Sequence, residues 1–292
     1  MASLSAWLWT IGYAFLPRPL GSKPVGLTVV LFGVAGFTGA VGGQHLAMLV
    51  VVAFAWAAFQ AWTDVADIAL RLPTALAALA ALLAAIEPPA GLSGALRTGT
   101  LFVAGAAWMA VWETLAHPPW RGGAGTRELE WAVLRRAWTR ARPYQLALAL
   151  PTTLAAFVAG IFSISHGAWM ATTVLRVMRP EASTTYARSI RRVLGTATGG
   201  VAAALLLLIH PTEILAPIAL FVCYGAMQLV GPGRYGIYVF FITVVALSLA
   251  TVGQPPSVGI AVIRVVLTVA GAAIAVTSSA LYDRWSRAHP SG

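Results

Sequence analysis

Apolar residues in this chain come in long, nearly continuous runs, without the two-residue alternation of a half-buried strand. Runs of the length needed to cross a bilayer, about 17–25 residues, lie near 24–42, 46–62, 68–86, 95–115, 144–163, 193–209, 213–230, 236–252 and 258–281. A shorter run at 166–178 forms a hairpin with 144–163 through "SISH". The pattern predicts an all-α, polytopic membrane bundle of about ten transmembrane helices, and the missing alternation argues against a β-barrel. A further short apolar segment opens the chain, "MASLSAWLWTIGYAFLPRP". It lacks a basic start and ends at Pro17 and Arg18, not at a small-residue cleavage site, so it is expected to be retained as a partial or interfacial helix.

Polar residues collect between the runs. The connector at 117–142 holds six Arg and two Glu, and 179–192 holds four Arg. In the first, Trp131, Leu134 and Trp138 fall on one helical face, with Glu128 and Glu130 before the arginines, as the helix dipole prefers. This reads as a basic amphipathic helix at the headgroups, beside the plainer reading of a solvated linker. Three parts follow: 1–116, a repeat of four spans and a stub; the 117–142 linker; and 143–292, a six-helix module.

Charge then sets orientation. With 117–142 placed in the cytoplasm, threading outward leaves every connector near 43–45, 87–94, 163–166, 210–213 and 253–257 free of Lys and Arg. This satisfies the positive-inside rule and predicts a multi-pass protein of a bacterial inner membrane, with its C-terminus cytoplasmic. Charged residues make up 10% of the chain, against about 25% in soluble domains, and mean hydropathy is +0.81. The net charge of +10, from 18 Arg and one Lys against nine acids, would suggest nucleic acid in a soluble protein. Here the arginines alternate with apolar runs and no recognition motif accompanies them, so nucleic acid is excluded as a partner. Cys223 is alone and no Cys/His metal spacing exists; no catalytic dyad or cofactor motif is present, so neither an enzyme nor a cofactor is expected.

An internal repeat is also legible. Pro88-Pro89 precede Arg97 by nine and eight residues, as Pro255-Pro256 precede Arg264, and both copies reach "VAGAA". Both copies thread from outside to inside, which predicts two parallel structural repeats. Arg192, Thr196 and Gly199 share one helical face, and Arg264, Thr268 and Gly271 repeat that spacing. Thr and Gly there suit close helix packing. Arg188, Arg191 and Arg192 mark the cytoplasmic lip. Arg97 and Arg264 lie inside predicted spans near their outer ends, where the positive-inside trend would not put them. They either snorkel to headgroups or line an anion-attracting cavity.

The stretch "HGAWMATTVLRVMRPEASTTYARSIRRVLGTATGG" (166–200) resembles the signature of the fusaric-acid-resistance-like (FUSC) membrane proteins, relatives of bacterial aromatic-acid exporters and, distantly, of plant aluminium-activated malate transporters. The matching residues are Trp169, Thr173, Pro180 and Arg192 through Thr196 to Gly199, with Arg264 and Thr268 matching a related phrase in the last helix. The resemblance implies a transporter or channel exporting organic, aromatic carboxylates. Arg264 and Arg97 would anchor the substrate with Thr268, Arg192 and Arg188 would recruit it beside Thr196, and Trp169 with Thr173 would supply a wall and a donor. Intramembrane Arg fits this independently, since its fork grips a carboxylate bidentately. The expected partners are a small organic anion and membrane lipids, with a homo-oligomer as a further option. The competing reading is a non-transporting scaffold or subunit of a larger membrane assembly.

Overall fold

The computed structural model describes residues 22–66, 71–86, 88–116, 131–164, 166–208, 215–250 and 258–288. They form ten α-helices and, among the described residues, no strand. The chain divides into two compact units, Met1–Arg176 and Val177–Gly292. The first holds α1 (Ser22–Gly42), α2 (Leu46–Ala66), α3 (Arg71–Ala84), α4 (Gly91–Ala116), α5 (Trp131–Ile161) and nearly all of α6 (Ala168–Val177). The second holds α7 (Ala182–Leu208), α8 (Leu215–Val230), a 3₁₀ turn at Pro232–Arg234, α9 (Tyr235–Ala250) and α10 (Val258–Ala288).

The all-α class stands, but the span count does not. Five helices are long and apolar enough to cross a membrane: Val25–Gly42, Leu46–Ala66, Gly91–Trp112, Ala132–Ile161 and Gly259–Ala288. Among the described residues that count corrects the expectation of about ten transmembrane helices, and for α3, α8 and α9 the reason is length. At 14 residues α3 rises about 21 Å, and α8 and α9, at 16, about 24 Å, against about 30 Å of hydrocarbon. An unbroken apolar run in sequence is therefore not one helix of the same length. The parallel repeats rested on that count and are withdrawn with it; the two arginines that anchored them also sit differently, Arg97 exposed and Arg264 buried.

Residues 131–142 are the opening turns of α5 and continue without a break into its apolar part. The division between compact units comes at Arg176, so α5 falls in the first unit. Residues 117–130 and the apolar segment at 3–16 lie outside the described residues.

In the first unit the helices alternate in direction. Gly39 of α1 meets the Ala81 carbonyl of α3 and Gly43 meets that of Ala85, so α1 and α3 run parallel. Gly33 and Gly36 meet Val103 and Phe102 of α4, while Gly99 of α4 meets Phe37, so these two run antiparallel. Leu46 of α2 lies against Gly160 of α5, and at the other end Trp62 Nε1 donates to the Leu134 carbonyl at 2.9 Å. One end of the unit thus gathers the connectors near 43–45, 86–91 and 163–167. Gln44 ties two of them, donating to the carbonyls of Pro89 at 2.9 Å and Gly91 at 3.2 Å.

In the second unit Gly195 and Gly199 of α7 press on the backbone of α9 at Gly236 and Phe240, an approach that runs the two helices parallel. Gly200 lies on Ala261 and Val265 of α10, and Ser279 near the other end of α10 donates to Thr185 of α7 at 3.2 Å. Helices α7 and α10 are therefore antiparallel.

Both units place small residues inside and large apolar ones outside. Ala35, Ala57, Ala61, Ala77, Ala78 and Ala81 are fully buried, while Val51, Leu92, Leu115, Leu194, Val201 and Phe221 are exposed. Hydroxyls join the small residues inside: Thr63, Thr74, Thr152, Thr185 and Thr243 are wholly covered. This inverts the soluble arrangement and is how helices pack in lipid, where apolar side chains gain nothing by turning inward.

The glycines of α7 give a contrasting pair of variants. A Cβ at Gly195 would collide with the Gly236 carbonyl oxygen, whereas at Gly200 it would meet Val265 and Ala261 at 3.7 and 3.9 Å, ordinary contact distances. Gly195→Ala is expected to lower the thermal unfolding midpoint of the purified protein, through an overpacking cost of about 1–3 kcal/mol. Gly200→Ala is expected to leave it unchanged or raise it, since Ala favours a helix over Gly by about 0.8–1.0 kcal/mol.

Candidate functional site

The residues singled out from sequence fall into both units. In the first, Arg97 projects from an exposed face of α4. Trp169, at the start of α6, is buried and its ring stacks on His166, with centroids 4.6 Å apart and planes 29° from parallel. His166 holds φ 58, a left-handed backbone uncommon outside glycine, in the hairpin between α5 and α6. Thr173 is fully buried and donates to the Trp169 carbonyl at 2.8 Å, so its hydroxyl serves its own helix. Beside this hairpin a cavity of about 370 Å³ is lined by Gly43, Leu49, Ile86, Ser163 and His166, among others.

The other end of the first unit carries a polar cluster that the charge pattern did not single out. Gln60, Thr63 and Asp64 occupy one face of α2 and all are buried. Gln60 Nε2 donates to the Leu175 carbonyl of α6 at 3.2 Å. The Thr63 and Thr74 hydroxyls share a hydrogen bond across α2 and α3. Asp64 pairs with Arg71 Nε at 3.2 Å. Polar residues at i, i+3 and i+4 in an otherwise apolar helix were the signal for this cluster in the sequence. The pair is asymmetric: the Asp64 side chain is 4% exposed and that of Arg71 44%. Removing Arg71 strips a covered carboxylate of its counter-charge, whereas Asp64→Asn removes the buried charge and keeps a polar side chain. Arg71→Ala is therefore expected to lower the unfolding midpoint more than Asp64→Asn, the reverse of what their exposures alone suggest.

In the second unit, five sequence-predicted residues lie on two helices that pack together: Arg188, Arg192 and Thr196 on α7, and Arg264 and Thr268 on α10. Thr196 and Thr268 are buried, and the Thr268 hydroxyl donates to the Arg264 carbonyl at 2.8 Å. Arg264 itself is 9% exposed, seven residues into a membrane-length helix, at the level where Gly200 of α7 meets α10. The Arg192 guanidinium, half-buried, lies within its electrostatic reach. The described carboxylates of this unit are engaged elsewhere: Glu181 accepts from Thr184 and Asp283 pairs with Arg287.

Sequence reading missed Tyr235. It opens α9, is buried, and joins two of the arginines: Arg188 sits 4.3 Å over its ring, and Arg192 Nη1 donates to its hydroxyl oxygen at 3.4 Å. Nothing in the spacing of α7 could show this, because the partner comes from a helix more than 40 residues away. Among the described residues no group of three or more His, Cys, Asp and Glu side chains is placed to hold a metal ion.

Comparison with known proteins bears on the same region. An uncharacterized protein, slr1298, of Synechocystis is 32% identical over 133 residues, which are 45% of this chain and 18% of the relative. The chain thus spans less than a fifth of the length of the curated relative it matches. No solved structure matches. Residues 154–278, which hold every residue of the arginine cluster, are similar to the family described as fusaric acid resistance protein-like.

Proposed function

We propose that this chain is a membrane transport module for organic anions, and that Arg264 is the residue on which the anion is held. The observation that carries the reading is the burial of Arg264 within a membrane-length helix. A charged residue at such a depth costs at least about 2.5–3.5 kcal/mol near a helix centre and is retained where it binds something. A carboxylate answers the guanidinium, and a fork-to-fork pairing fixes its orientation. The family likeness of 154–278 supports movement of a small anion, and the chemistry of the cluster favours an aromatic carboxylate among them.

In this reading the membrane is a bacterial inner membrane, and the Arg188–Arg192 end of α7 faces the cytoplasm, where the positive-inside rule puts it. Substrate enters there and leaves toward the end of α10 that carries Arg264, which is export. The protein binds and passes its substrate without chemical change. Arg97, exposed on α4, has no enclosing partner comparable to that of Arg264 and takes no part.

The test is flux of an aromatic acid from liposomes holding the purified protein. Arg264→Ala is expected to lower flux about ten- to hundredfold, matching the loss of a charged hydrogen bond of about 1.5–3 kcal/mol, with membrane insertion intact. Arg264→Lys keeps the charge without the fork and falls between. Arg97→Ala stays near the unsubstituted rate. Unchanged flux in Arg264→Ala would remove that residue from the path. Absence of flux in the unsubstituted protein, together with stable association with another subunit, would favour the scaffold reading instead.

A further inference from the structure

The end of the first unit that carries Trp62 and Leu134 holds a slot that transport through Arg264 does not use. A cavity of about 490 Å³ lies between α2 and α5, lined by Trp62, Ala132, Leu134, Arg135 and Trp138. Its floor is Leu134, buried together with Ala66 and Ala137. Its walls are two indoles, Trp62 and Trp138, with ring centroids 5.1 Å apart and planes at 89°. The Leu134 carbonyl accepts from the Trp62 indole nitrogen at 2.9 Å, which fixes that ring. Phe59 continues the aromatic surface along α2, 5.7 Å from Trp62. Trp138 is 44% exposed, and Arg135 stands exposed at the rim. The volume falls in the range of small-molecule pockets, about 300–1,000 Å³.

We infer that this slot binds an anionic phospholipid, with an acyl chain between Trp62 and Trp138 and the phosphate on Arg135. The site lies in the first unit, whereas Arg264 belongs to the second, and it stands whether or not the chain moves anions.

Charge, and where it falls along α5, argues for this occupant. Arg135, Arg136, Arg140 and Arg142 precede Pro143, and no charged residue follows in the helix. All four are exposed. The helix contains no Asp or Glu to answer them, and Asp64 at the end of α2 is paired with Arg71. Pro143 thus marks where a membrane-length helix passes from hydrocarbon to headgroups. The slot lies on the headgroup side of that boundary, the level at which Trp collects in membrane proteins. Arg135 and Arg142 stand one turn before and one turn after Trp138 on the same face, so the exposed indole is flanked by cations. A basic rim beside an apolar slot suits an anionic headgroup with its chain. A choline headgroup would bring its own cation to the arginines and be repelled. A soluble anion would gain nothing from the indole walls.

The experiment is native mass spectrometry of the full-length protein in detergent, equilibrated with equimolar dioleoyl phosphatidylglycerol and dioleoyl phosphatidylcholine. Thermal midpoints are measured in parallel. The acyl chains are identical, so any preference comes from the headgroup. The unsubstituted protein is expected to retain phosphatidylglycerol in preference and to unfold at a higher temperature in its presence. Arg135→Gln should weaken phosphatidylglycerol binding about fivefold, the effect of one cation near an anionic headgroup. It should leave phosphatidylcholine binding and the lipid-free midpoint unchanged. Trp138→Ala should weaken both lipids, because it removes a wall that the acyl chain meets. Arg234 is exposed in the turn before α9, and Arg234→Gln should leave retention unchanged. Glycerophosphate, which carries the phosphate without the chains, should not raise the midpoint.

Equal retention of the two lipids by the unsubstituted protein would overturn the inference, as would unchanged phosphatidylglycerol binding in Arg135→Gln. An equal loss in Arg234→Gln would make the effect one of general surface charge and remove the site. Stabilisation by glycerophosphate as large as that by the lipid would give the slot to a soluble anion instead. If Trp138→Ala fails to fold, the contrast between Arg135→Gln and Arg234→Gln still decides.

Discussion

Close approach of helix backbones is the constraint on which both units depend. Lipid tails are as apolar as leucine, so no hydrophobic gain draws one helix of this chain to another. What remains is dispersion between surfaces that fit and hydrogen bonds shielded from water. Glycine supplies the fit wherever α1 meets α3 and α4, and wherever α7 meets α9. Threonine and serine supply the bonds, between Thr63 and Thr74 in one unit and between Ser279 and Thr185 in the other. Many large apolar side chains, Val51, Leu194 and Phe221 among them, are left outside because lipid accepts them at no cost.

That same packing makes room for charge. A helix faced with alanine, glycine and hydroxyls leaves gaps long enough for an arginine to lie along its neighbour, and burial then strengthens every field the arginine makes. The first unit resolves this with an ion pair, Asp64 and Arg71, at the end of α2. The second collects Arg188, Arg192 and Arg264 and meets them with the ring and oxygen of one tyrosine.

Several parts of this arrangement were legible along the chain. The apolar runs announced helices and the membrane. The Thr/Gly spacing of 196–199 announced the face of α7 that packs. Other parts were not legible. Arg97 and Arg264 stand in matching phrases, yet one is exposed and the other buried, because enclosure depends on what a neighbouring helix presents. Trp169 and Thr173 look like a wall and a donor, yet Thr173 spends its hydroxyl on the Trp169 carbonyl and both belong to the other compact unit from Arg264.

Composition and periodicity by themselves determined the membrane character and the all-α class, since each is a sum over many residues that no single contact can reverse. Tertiary structure decided how long each helix is, and so that, among the described residues, five and not ten are long and apolar enough to cross a bilayer. It also decided which arginines face one another and that Tyr235 lies between two of them. Those outcomes depend on pairwise register between helices far apart in the chain, which local spacing cannot encode.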